Sequence, residues 1–202
     1  MEEKDLKIAK VVVNTLNPDF WLFLALVIGC YFTFPTWGEI LKWTFFYFVL
    51  MVVPPQIYIE AKRRYFLRQK DKEIHDLFRG SKGDEAISSL LLFLPVAISF
   101  YFITPPRWFL ALYFSLIGIT ILSFIINYVF KFKSSYHLVY CGTYLTSIWF
   151  FIRNWTFFFL PLAALLSVAK NKIGHHTAAQ LIVGFSIGIV VTALVFTKMV
   201  GI

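Results

Sequence analysis

The sequence is short of charge and of cysteine, and each shortage narrows what the chain can be. Only 15% of its 202 residues are Asp, Glu, Lys or Arg, against 59% hydrophobic and 20% aromatic residues, with a mean hydropathy of +0.73. That balance excludes an ordinary soluble domain and belongs to the membrane class. The two cysteines, Cys30 and Cys141, lie inside apolar segments and away from any metal-ligand spacing. They are expected to pack as small apolar residues, and no disulfide framework is implied. Internal repeats and low-complexity tracts are lacking too. So is the alternation of barrel strands: the apolar runs are long and continuous, which argues against sheet and for helices. No cleavable signal peptide is expected, because the first apolar run follows a charged start and is long enough to span.

What is present fits an all-α integral membrane protein, a single membrane domain over residues 1–202 with about seven transmembrane helices. A chain of this length holds roughly six to eight spans of about 20 residues with short loops. Residues 1–17 mix aliphatic and charged side chains as an interfacial helix does. Residues 18–106 hold three leading spans. The first, about Phe20–Phe34, is bracketed by Pro18 and Pro35 and flanked by Trp21 and Trp37, rings that favour the interface. The second, about Ile40–Ile59, should kink or end at Pro54-Pro55. The third covers about Ile87–Ile103, and Thr104-Pro105-Pro106 reverses the chain into a fourth, about Trp108–Phe130. The fifth is about Tyr136–Ile152. After a turn at Arg153-Asn154 comes the sixth, about Trp155–Val168, and then the seventh, about Thr177–Val200. Gly184 and Gly188 in the last have the spacing that lets membrane helices approach closely. The Phe157-Phe158-Phe159 run reads as lipid-facing or packing surface.

The net charge is +8. Its cations sit in short loops between apolar runs, which points to membrane orientation and anionic headgroups and away from nucleic acid. Residues 60–86, the one long hydrophilic stretch, read as a solvated positive loop that fixes topology, and His75 within it as an interfacial residue. With seven spans, fifteen of the nineteen Lys and Arg fall on one face, together with the N-terminus and the loops at 60–86, 131–135 and 169–176. That face is expected in the cytoplasm.

Two polar groups at span boundaries carry the chemistry: Lys131–His137 and Lys170–Gln180. His137 and His176 each open a helix on the same face, near Lys131, Lys133, Lys170 and Lys172. Two helix N-termini with several ammonium groups make an anion site, and a phosphoester is the natural guest. One imidazole can attack phosphorus to give a phospho-histidine while the other protonates the leaving alcohol. Gln180, four residues beyond His176, shares its helical face and can fix the ring's tautomer. Ser135 can serve as helix N-cap, as phosphate ligand, or as both. No metal or cofactor is called for, since lysines, helix termini and imidazoles supply the charge stabilisation.

These residues resemble the type 2 phosphatidic acid phosphatase superfamily, integral-membrane lipid phosphatases with a haloperoxidase-like active site. The family's third motif reads Ser-Arg, five residues, His, three residues, Asp, and Lys170, His176 and Gln180 hold those spacings. Its second motif, Pro-Ser-Gly-His, is matched by Ser134-Ser135-Tyr136-His137, and its first survives only as Lys133. A divergent branch is similar in more detail, with Lys-x-Ser-x-His and then Ala-Arg-x-x-x-Gly-x-His-Thr-x-x-Gln before a glycine-bearing helix. The resemblance covers roughly residues 107–200. It implies a phosphatase-like core over 107–202, in which His176 is the nucleophile and His137 the acid for the leaving group. It gives Lys133, Ser135 and Lys170 the phosphate oxygens, with Lys131, Lys172 and His175 as neighbours of the site.

The implied activity is metal-independent hydrolysis of a phosphomonoester or diphosphate on a phospholipid or polyprenyl lipid, with the lipid's tail left in the bilayer. The departures bear on that activity. Lys170 stands where the family has arginine and lacks its bidentate fork. Gln180 stands for aspartate and cannot offset a developing imidazolium charge. Either neighbouring lysines compensate, or the chain is an impaired relative that binds or moves anionic lipids. A bis-histidine haem protein using His137 and His176 as axial ligands fits less well, because clustered lysines suit a phosphate better than iron. The sequence is silent on oligomeric state.

Overall fold

The computed structural model describes residues 3–67, 82–174 and 176–201, and within them the chain is helical with no strand. Among the described residues eight α-helices follow in order: α1 Glu3–Thr15, α2 Pro18–Thr33, α3 Trp37–Leu67, α4 Lys82–Phe102, α5 Arg107–Phe124, α6 Tyr136–Ile152, α7 Leu160–Lys172 and α8 Ala178–Val200. A π-helical turn, Ile125–Val129, extends α5, and a 3-10 segment, Arg153–Phe159, joins α6 to α7. Most of the loop expected at 60–86 falls outside the described residues, as do His75 and His175.

Among the described residues five helical runs are long and apolar enough to cross a membrane: Asp5–Thr33, Trp37–Lys62, Arg107–Val129, Tyr136–Lys172 and Ala178–Val200. The described chain is thus all-helical and of the multi-pass membrane kind, with five such runs among the described residues where the sequence reading counts seven. Of the expected third span, the stretch Leu90–Phe102 of the 21-residue helix α4 is apolar. The expected fifth and sixth fall within the one stretch Tyr136–Lys172, yet the backbone leaves helical geometry at Arg153, where the turn was expected, and α7 runs back so that Lys170 comes within reach of His137. Arg153 takes a positive φ of 48° at that junction, and its guanidinium lies 5.0 Å from the Trp149 ring centroid.

The chain divides into two compact units, residues 1–41 with 106–202, and residues 42–105. In the smaller unit α3 runs on through Pro54 and Pro55 to Leu67. The two prolines deprive the Leu50 and Met51 carbonyls of their helical donors without ending the helix.

The larger unit holds the core. There α6 lies between α8 and α2, and α5 packs on α8. The α6–α8 seam is built on glycine. A Cβ at Gly184 would stand 2.7 Å from the Ser135 carbonyl oxygen, and one at Gly142 would stand 2.5 Å from that of Phe185. A Cβ at Gly188 would run into the Val139 carbonyl oxygen. The two backbones therefore touch with no side chain between them, as small residues permit in membrane helices.

Gly29 on α2 makes similar room for the Trp108 ring, which packs edge-on to Phe151. Asn17 caps α2, its side-chain oxygen accepting from Phe20 N–H at 2.9 Å, and Pro18 fills the first turn, where a missing N–H costs nothing. α1 is the helix expected at the N-terminus; it rests against α7, with Ala9, Val13 and Leu16 buried.

Candidate functional site

The two polar motifs meet at one end of the larger unit. Lys170 and His176 both lie within electrostatic reach of His137, and Ser135 N–H donates to the Gln180 carbonyl at 3.3 Å. The starts of α6 and α8 and the last turn of α7 thus converge. Local sequence dictates each terminus. Thr177 caps α8 in a reciprocal pair: Gln180 N–H donates to Thr177 Oγ1 at 3.4 Å, and Thr177 N–H donates to Gln180 Oε1 at 3.0 Å. Gly174, with φ +79°, ends α7 in the left-handed geometry that glycine adopts without penalty. Lys170 and Lys172 occupy α7's last turn, where the helix dipole favours cations.

Lys170 is only 8% exposed, and among the described residues its ammonium group makes no hydrogen bond or ion pair. A largely covered ammonium group without a partner is stabilised when something negative occupies the space beside it. Ser135 is fully buried at the N-cap position of α6, yet its hydroxyl caps nothing and has no hydrogen-bond partner. One buried cation and one buried unsatisfied hydroxyl therefore stand at the convergence of two helix N-termini, which is the composition of an anion cradle.

The remaining expected residues take other places. Lys131, Lys133 and Lys172 are exposed, and His137 and His176 are half-buried. The carboxamide oxygen of Gln180 is engaged in the α8 cap, so its orientation is explained without contact to His176.

Sequence reasoning missed Asn127. Its side-chain oxygen, carried on the π-helical turn, accepts from Ser134 N–H at 2.8 Å and from the Ser134 hydroxyl at 2.9 Å. Phe132 N–H donates to the Ile126 carbonyl at 3.1 Å, and Lys131 adopts a positive φ of 54°. Together these fold the loop after α5 back so that Ser135 enters α6 beside Gln180. The only advance signal was a polar residue interrupting an apolar run, and π-turns do recur at functional sites.

Among the described residues no group of three or more His, Cys, Asp or Glu side chains is gathered to hold a metal ion. Comparison with known families, curated proteins and solved structures finds no match to this chain.

Proposed function

We propose that the chain is a membrane-embedded lipid phosphatase of the type 2 phosphatidic acid phosphatase kind, with its site on the cytoplasmic face. The observation that carries the reading is the buried, unpaired Lys170 within electrostatic reach of His137, which His176 also reaches. Lys170, the Ser135 hydroxyl and N–H groups in the first turns of α6 and α8 hold the phosphate oxygens. His176 attacks phosphorus, the bond from phosphorus to the lipid oxygen breaks, and His137 gives its proton to the departing alcohol. Water then attacks the phospho-histidine, His137 takes a proton from that water, and inorganic phosphate leaves with His176 restored. The exposed Lys131, Lys133 and Lys172 draw the headgroup to the site and hold it loosely.

The test is phosphate release by purified protein in detergent from a panel of lipid phosphates, without added metal, beside His176→Ala and His137→Ala. Wild type releases phosphate, and each variant loses roughly a hundredfold or more in rate. An undiminished rate in His176→Ala would end the two-histidine mechanism.

A second reading, a relative that binds anionic lipid without turnover, draws on the cap that occupies Gln180 and on the absence of a carboxylate at that position. It predicts thermal stabilisation by the same lipids with no phosphate released by any of them.

A further inference from the structure

Two hollows open along α8. The first, of about 390 Å³, lies between α7 and α8 and includes Ala163, Ala164, Asn171, Ala178 and Phe185 in its walls. The second, of about 300 Å³, includes Trp149, Thr156, Ile189 and Ala193. Leu160 and Phe185 belong to both, so the two lie end to end as one furrow.

Its walls are almost wholly apolar, with Asn171, Ser167 and Ser186 confined to the first section and Thr146 and Thr156 to the second. One end is fixed by chemistry: Asn171 follows the buried Lys170, and Ala178 is two residues from His176. From Ala178 to Ala193 the furrow follows α8 for fifteen residues, about 22 Å at the helical rise. One leaflet of a bilayer's hydrocarbon core is about 15 Å deep, half of the whole.

We propose that this furrow seats a single hydrocarbon chain of the substrate over more than the depth of one leaflet, so that the preferred substrate carries its phosphate on one long chain and not on a diacylglycerol. The proposal rests on the phosphate site proposed above, which marks one end of the furrow. Three features favour this occupant over a pair of acyl chains. The furrow is one lane, since the hollows meet only at Leu160 and Phe185. It outruns a leaflet, where acyl chains of ordinary length end. It also begins at the cationic end of the site, so a chain seated in it brings its own phosphate to Lys170. Ala164 near the site and Ala193 at the far end set its clearance, because a large side chain at either position would fill the lane.

The experiment reads chain position directly and needs no turnover. Single-chain polyprenyl monophosphates of graded length, each with a photoreactive diazirine at the far end, are irradiated with the full-length protein in lipid nanodiscs. The labelled peptides are then sequenced. Long probes are expected to label 145–149 and 189–193, and short ones the neighbourhood of Ala164. Ala193→Trp should reduce far-end labelling by the long probe roughly tenfold, the penalty that an apolar pocket imposes on a misfitted group. Leu194→Trp, at an exposed neighbouring position, should leave it unchanged.

Unlabelled long-chain phosphate should compete and dioleoyl phosphatidic acid should not. Labels scattered over outward-facing α5 residues such as Phe114 and Ile121, or equal competition by phosphatidic acid, would overturn the furrow. Phosphate release measured alongside separates the two readings. Labelling in the furrow without release overturns the catalytic reading alone, and release with scattered labels overturns the furrow alone.

Discussion

Asn127 shows how one side chain outside the motifs can set the geometry within them. With both Ser134 donors on its oxygen, the Ser134 hydroxyl is occupied and the Ser135 hydroxyl is left for a ligand. Asn127→Ala removes the acceptor of the Ser134 hydroxyl and one of two acceptors of the Ser134 N–H, which keeps the Phe132 carbonyl at 3.0 Å, and should cost about 0.5–1.5 kcal/mol, the net worth of an ordinary hydrogen bond. Asn127→Asp keeps the acceptor and should restore most of that stability. Thermal unfolding of the three proteins in detergent checks it, and equal midpoints for Ala and Asp would remove the role. At this scale the sequence was legible where spacing carries meaning. The two polar groups at span boundaries were read as meeting, and Lys170 and His176 do come within electrostatic reach of His137. It was illegible where a contact depends on a turn that no propensity announces. Asn127 reaches Ser134 across seven residues only because the helix widens at Ile125–Val129. The capping role of Gln180 was readable, since Thr followed by Gln three residues later is a helix-start signature, but the spacing drew attention to His176 instead.

Helix pairs differ sharply in what separates them. At the α6–α8 seam the neighbours of Gly188 are backbone atoms of Val139 and Thr143, which cannot step aside. Gly188→Leu should therefore force the helices apart and cost at least about 1–3 kcal/mol, the range for overpacking. Gly118 is a fair control, because its substituent would meet only a Val191 side-chain methyl at 2.9 Å, which can change rotamer. Gly118→Ala should leave the folded yield and thermal midpoint nearly unchanged while Gly188→Leu lowers both. Equal behaviour of the two would show that backbone contact is not what binds α6 to α8. The four-residue interval between Gly184 and Gly188 made half of this seam visible in the sequence. Gly142 on the partner helix belongs to no motif and was not visible. Elsewhere, Pro54-Pro55 suggested a kink or an end in α3, which runs on to Leu67, whereas the turn read at Arg153-Asn154 is where the backbone leaves helical geometry.

For the molecule as a whole, composition settled the class, while the number of spans depended on boundaries that apolar runs do not mark. Orientation is open to direct measurement because Cys30 and Cys141 are both buried and give little background to thiol reagents. With the site on the cytoplasmic face, Lys172→Cys should react with an impermeant maleimide only after the cells are opened. Labelling of intact cells would place the site outside.

The glycine seam has a mechanical side as well. Where backbones touch, no rotamers remain to be exchanged, so the seam is the stiffest joint of the bundle, whereas α7 meets α8 only sparingly and leaves a furrow. A bilayer that thickens or thins makes its helices tilt, and such tilting acts on the compliant α7 side while the first turns of α6 and α8 keep their separation. Under the proposed activity, access of the lipid chain and the chemistry on its phosphate would thereby be uncoupled. In bilayers of graded thickness KM should then vary and kcat hold steady, and the protein would feel its membrane through the substrate's tail and not through its histidines.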